Sequence, residues 1–247
     1  MAHGIKPSDM DKPWARRRIK RRRVDSVPVR CRFLIISEDT KSSCYYFEEL
    51  GREMLQGYVF VTVCGIGKNT ESLVSDVGRI REEEEKKLVD RGLIDPHFDQ
   101  IWVVFDKDGF EDDDFDNACA MAEALPQCHA AWSNECFEYW YLLHFNKYSS
   151  DMSRADIFRK LKEVIPDYAN RFGNIAYEKI KGEQGKKFHE EMAHSIMREQ
   201  AIKWAREQEL YWEDDEHNTL PNHSKKPMTK VHLLVTALNL ARSMVIR

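Results

Sequence analysis

Three carboxylates stand where apolar runs stop. Glu38 directly follows CRFLIIS at 31–37, Asp106 follows QIWVVF at 100–105, and Asp108 lies two residues further on. Short apolar runs rich in β-branched residues predict buried strands. Strands lying parallel in one sheet share an edge at their C-terminal ends, the edge where α/β proteins bind ligands. Acids gathered there repel one another, and a divalent cation relieves the repulsion. An all-oxygen donor set suits Mg²⁺ or Mn²⁺ better than zinc, and no His/Cys set competes. The spacing leaves a second reading open, in which each acid caps a helix or lines a turn.

A fourth acid, Glu138, lies within CFEYWYLLHF at 136–145, a stretch apolar almost all round. An unpaired carboxylate there is costly, so a metal, a cation or a backbone donor is expected beside it. A structural Glu138, bonded to a loop amide or to Asn134, stands level with an active-site one. His144 reads as a core histidine. Lys41 and Lys107 flank the acids; each can contact a phosphate, offset acidic charge or simply be solvated. GIGKNT at 65–70 lacks the Walker spacing and reads as a turn between strand and helix. RRRIKRRR at 16–23 supplies Arg16, Arg17, Arg18, Lys20, Arg21, Arg22 and Arg23. Such a run binds a nucleic-acid backbone, contacts an acidic partner or stays solvated. The acidic run 111–116 suits a helix N-terminus, with Asp112, Asp113 and Asp114 as lesser metal candidates. Trp204, Tyr211 and Trp212 read as core packing ahead of base stacking.

These residues need elements to hold them. Residues 42–55 place Tyr46, Phe47, Leu50, Met54 and Leu55 on one helical face. YVFVTVC at 58–64 predicts a second strand, and Thr70 opens a long helix to about residue 90. QIWVVF gives the third strand, 113–124 a helix, CHAAWS at 128–133 a fourth strand, and 136–145 a buried helix. Strands alternating with helices predict a mostly parallel sheet flanked by helices, an α/β fold. After residue 150 no strand is expected. Helices are predicted at 153–164, 174–181, 186–210 and 229–246, with a polar loop at 211–227.

The chain has 247 residues, a net charge of −4 and a mean hydropathy of −0.61. That balance argues against a wholly basic nucleic-acid binder, although the charges are segregated along the chain. No run approaches a membrane span, and the basic N-terminus lacks the apolar stretch of a secretory signal, so a cytoplasmic protein is the default. Cysteines 31, 44, 64, 119, 128 and 136 form no CxxC pair and read as reduced thiols acting as small hydrophobes.

FLIISEDTKSSCYYF, VVFDKD and SNECFEYWYLLHF, in that order and at this spacing, resemble the RloB-like family. KPMTKVHLLV from Lys226 extends the resemblance to nearly all of residues 31–240. It implies a Toprim-type core, the acidic metal-binding fold of topoisomerases, primases and OLD-type nucleases. Glu38 matches the family's Glu after the first strand, Asp106 and Asp108 its DxD, and Glu138 the Glu of its SNPCFELWLLLHF motif. The first motif departs from the family's CEGEKTE: it keeps the first Glu and the Lys but not the Gly or the two later Glu positions. Glu135 replaces a common Pro. On this reading residues 1–28 form a basic, disordered arm, 29–148 the Toprim-like catalytic core, and 149–247 a helical C-terminal extension. The resemblance implies a Mg²⁺- or Mn²⁺-dependent endonuclease acting on nucleic acid, RNA such as tRNA ahead of DNA. It implies an effector of bacterial antiviral defence beside an ABC-type ATPase, here a separate chain because no Walker motif is present. Two alternatives stand: a non-catalytic nucleic-acid or partner-binding module with a degenerate site, and a primase-like nucleotidyl transferase. Oligomeric state is not legible.

Overall fold

The computed structural model describes residues 31–55, 59–67, 70–180, 182–214 and 216–244. The basic arm at 16–23 therefore lies outside the described residues, as do Lys68 and Asn69. Strands β1 (Cys31–Ser37), β2 (Val59–Gly65), β3 (Gln100–Asp106) and β4 (Cys128–Asn134) run parallel. Helices α1 (Ser42–Leu55), α2 (Thr70–Ser75), α3 (Val77–Asp90) and α4 (Asp112–Ala124) connect them. A short strand β5 (Met228–Thr229) pairs antiparallel with β4, giving the order β2-β1-β3-β4-β5. The mostly parallel α/β sheet flanked by helices is the expected one.

Both faces of the sheet are covered, which is why its strands read as unbroken apolar runs. Phe33 and Ile35 of β1 face one hydrophobic cluster, Leu34 and Ile36 the other. The second cluster is closed by Leu73, Ile80 and Phe115 of α2, α3 and α4. The first takes in Tyr46 and Phe47 of α1 and most of the C-terminal half, Trp212 and Met228 packing with the second. That half comprises α5 (Glu138–Leu142), α6 (Arg154–Val164), α7 (Tyr168–Phe172), α8 (Gly182–Ala193), α9 (Arg198–Trp212) and α10 (Val231–Ser243). Ile157, Leu161, Phe188, Leu234 and Leu238 bury themselves in the same cluster as Phe33, so these helices share one core with the sheet.

Several expectations need correction. Residues 229–246 were expected to be wholly helical with no strand after 150; instead Thr229 pairs with Ser133 and Met228 with Asn134. A two-residue strand is too short to show any alternation. The expected helix 174–181 is a single 3₁₀ turn at Tyr177–Lys179. The expected helix 186–210 is two, α8 and α9, parted by a turn at 194–197. The long helix from Thr70 breaks at Asp76. The apolar run 136–145 forms only the short α5. Its all-round hydrophobicity reflects burial of Phe137, Tyr139, Trp140, Tyr141 and Leu142 rather than helical periodicity.

Candidate active site

In this strand order β2 lies on one side of β1 and β3 on the other. The chain therefore reverses direction across the sheet between β1 and β3, the switch point that opens a crevice beyond the strand ends. Glu38 and Asp106 occupy that place. The Glu38 N–H donates to the Val104 carbonyl at 2.9 Å, extending the β1–β3 ladder by one bond. The Asp106 N–H donates to Glu38 Oε2 at 3.2 Å. Asp39 lines the same cleft as Glu38 and Asp106 and caps α1. Its Oδ1 accepts from the Lys41 N–H at 2.6 Å, and its Oδ2 from the Ser43 N–H at 3.1 Å and hydroxyl at 3.0 Å. The Ser43 and Ser37 hydroxyls meet at 2.6 Å and tie the helix to the strand end.

This turn crosses β2 at Gly65. A Cβ added there would stand 2.7 Å from the Asp39 carbonyl oxygen, 2.7 Å from Cys44 Sγ and 2.9 Å from Thr40 Cα. No other residue leaves the Glu38–Thr40 segment where it is. GIGKNT thus begins with a packing glycine. The Glu38 carbonyl accepts from the Gly67 N–H at 2.8 Å, binding the two loops together.

Glu138 begins α5 and is only 7% exposed. The Ser42 hydroxyl donates to its Oε1 at 3.2 Å. Burial pushes its carboxyl above the usual range; the negative charge of Asp39 adds to this and the Arg154 guanidinium opposes it. Asp106 is pushed well above the ordinary value, first by burial and then by the charges of Glu138 and Glu38. Three acids so crowded favour a proton or a cation among them.

Asp108 lines the same cleft of about 110 Å³ as Glu38 and Asp106. It sits at a φ of 34° and forms an ion pair with Arg154 of α6. Among the described residues, no three His, Cys, Asp or Glu side chains are gathered as a ready ligand set. The donor chemistry nevertheless fits a hard divalent cation, because every acid supplies oxygen and Asp106 is crowded by the charges of Glu138 and Glu38. Glu38 and Asp106 would hold it, with Glu138 beside them; Asp108 is engaged by Arg154.

The remaining candidates sort by their partners. Lys107 is 11% exposed, donates to the Phe110 carbonyl and pairs with Asp112 at 3.0 Å, so both hold the turn after β3. Lys41 is exposed at the rim of a neighbouring cavity. His144 is a core residue: its Nδ1 bonds the Trp140 carbonyl at 3.0 Å, and burial pushes its pKa down to about 4. Trp212 donates to the Pro227 carbonyl at 3.3 Å, Trp204 packs against the first cluster, and Tyr211 is exposed. Burial pushes the Cys44, Cys119 and Cys128 thiols up to about 12, so they remain protonated. Sequence reasoning missed Arg154, Ser42, Tyr177 and His189. Ser42 carried a signal in its place three residues past Asp39, and the others carried none.

A mostly parallel α/β sheet with carboxylates collected at its switch point defines the class of this protein. The profile of the RloB-like protein family matches residues 33–238, most of the chain, and the chain belongs to that family. The matched span includes Glu38, Asp106, Asp108 and Glu138 and begins after the basic arm. No curated protein and no solved structure matches the chain. Among the described residues, no helix is long and apolar enough to cross a membrane.

Proposed function

We propose that this protein is a metal-dependent endonuclease built on a Toprim-type core. RNA such as tRNA is favoured over DNA as its substrate. It would act in the cytoplasm as an effector of bacterial antiviral defence, with an ABC-type ATPase as a separate partner chain. The observation that carries the reading is the crowding of Glu38 and Glu138 around the buried Asp106 at the β1–β3 switch point in a member of the RloB-like family.

A bound Mg²⁺ or Mn²⁺ supplies charge neutralisation at a phosphodiester and a more acidic water. Glu38 and Asp106 hold their carboxylates toward the cleft, fixed by the strand ends behind them. Glu138, held toward its protonated form by burial, is suited to give a proton to a departing oxygen. Arg154 brings a guanidinium to the same cleft, where phosphate oxygens are good partners.

The test is incubation of the purified chain, alone and with its ATPase, with Mg²⁺ or Mn²⁺ and RNA or DNA, beside Glu38→Ala. Cleavage that continues undiminished in that variant removes the site assignment. One observation favours a second reading, a binding module without catalysis: Asp108 is committed to Arg154 and no ready ligand set is gathered among the described residues. Absence of Mn²⁺ binding at millimolar concentration, with partner association intact, selects that reading.

A further inference from the structure

A second cavity, of about 330 Å³, is lined by Glu138 and shares Arg154 with the acidic cleft. Its volume is that of a small-molecule pocket. Phe158 of α6 and Tyr177 of the 3₁₀ turn line it with rings 5.3 Å apart and inclined by 36°, and Phe188 of α8 meets Tyr177 edge-on at 5.8 Å. Lys41 and Arg154 place two cations on its lining.

Tyr177 is 7% exposed, and its hydroxyl has no hydrogen-bond partner among the described residues. A buried hydroxyl left unpaired costs roughly 1–3 kcal/mol, so something that donates or accepts is expected to meet it. His189 also lines the cavity, 3.0 Å from the Tyr141 hydroxyl, which itself donates to the Ser42 carbonyl at 3.2 Å. That carbonyl only accepts. Satisfying both bonds makes His189 Nδ1 the donor to Tyr141 and leaves Nε2 as an acceptor.

We infer that this cavity is a nucleobase pocket, taking one unstacked base of the strand whose neighbouring phosphate lies at the acidic cleft. The aromatic wall takes one flat face of a base, and a hydroxyl with an imidazole acceptor matches the mixed donors and acceptors of its edge. The cations suit the attached phosphates, and the shared Arg154 sets base and phosphate side by side. This rests on the nuclease reading above.

The experiment is fluorescence anisotropy of the full chain with labelled RNA and DNA decanucleotides, Ca²⁺ replacing Mg²⁺ so that binding is read without turnover. Each oligonucleotide is compared with copies carrying one abasic position in turn. An abasic site at the pocket position is expected to weaken binding about tenfold, within the range for loss of one stacked base. Tyr177→Phe, which keeps the ring, is expected to weaken the intact oligonucleotide several-fold and leave that abasic copy unchanged. Phe158→Ala should erase most of the difference between intact and abasic strands. Tight binding that is indifferent to every abasic position overturns the pocket and leaves the nuclease reading standing. Absence of binding to any oligonucleotide overturns both.

Discussion

Replacing Gly65 by alanine adds one methyl group where three atoms already stand within 3 Å. Cys44 Sγ can rotate away, but the Asp39 oxygen and Thr40 Cα are backbone and move only with the segment that carries Glu38. Overpacking of this kind costs about 1–3 kcal/mol. Taking about 2 kcal/mol, a chain of this size should melt roughly 4–8 °C lower. The displacement also pulls Glu38 off the Asp106 N–H, so Mn²⁺ binding should weaken in the same variant. Gly78, near the start of α3, is the control, because nothing lies within 4 Å of an added Cβ there. Gly78→Ala should leave stability unchanged or raise it by up to about 1 kcal/mol. Scanning calorimetry and Mn²⁺ titration calorimetry on both variants read the outcome. A Gly65→Ala protein that melts within a degree of wild type and binds Mn²⁺ equally would refute the argument that this glycine fixes the acidic turn.

Asp106→Asn removes a carboxyl that burial and its neighbours hold well above its ordinary pKa. The variant should melt higher than wild type without metal and lose the rise in melting temperature that millimolar Mn²⁺ gives wild type; an unchanged metal-induced rise would count against Asp106 as a ligand. Arg154→Ala frees Asp108 from an exposed ion pair worth about 0.2–1 kcal/mol, so Mn²⁺ affinity should rise up to roughly fivefold in calorimetry, while a fall would show Arg154 supporting the site. Burial holds His144 and His189 at a pKa of about 4 against an ordinary 6.5. The unfolded chain takes up these protons first as the pH drops, so their contribution is complete above about pH 6.5 and is lost progressively between 6.5 and 4. Denaturant melts at pH 7.5, 5.5 and 4.5 should show this slope, and His144→Leu should flatten it.

The four parallel strands were legible because each is a short apolar run closed by polar residues, and a sheet covered on both faces leaves no other pattern. Glu38 and Asp106 were legible for the same reason: each is the first acid after such a run, and parallel strands bring their ends together. Segments dominated by tertiary packing were not. The stretch 136–145 is apolar because it is enclosed, not because it is a long helix. The turn at 194–197 lies inside a charged, helix-compatible sequence whose periodicity hides the break. Arg154 and Tyr177 reach the acidic cleft and its neighbour from segments whose place depends on how α6 packs against α5 and the 3₁₀ turn and α8 against α1, which local spacing does not encode. Lys107 shows what spacing left open. Its position beside two acids left a phosphate contact, charge offset and solvation open, and the structure places its ammonium on the Phe110 carbonyl and Asp112 of its own turn.

The pairing of β5 with β4 has a consequence in time. Ser133 and Thr229 join through their hydroxyls across 96 positions of sequence, and the Lys230 N–H closes on the Trp132 carbonyl. During synthesis at about 5–20 residues per second, the outer edge of β4 waits roughly 5–20 s for its partner to be made. Arg154, Tyr177 and His189 arrive within that interval, one after another. The acidic turn and its strand ends therefore exist on the nascent chain before the side chains that pair with them, and the site matures only as the last third of the protein emerges.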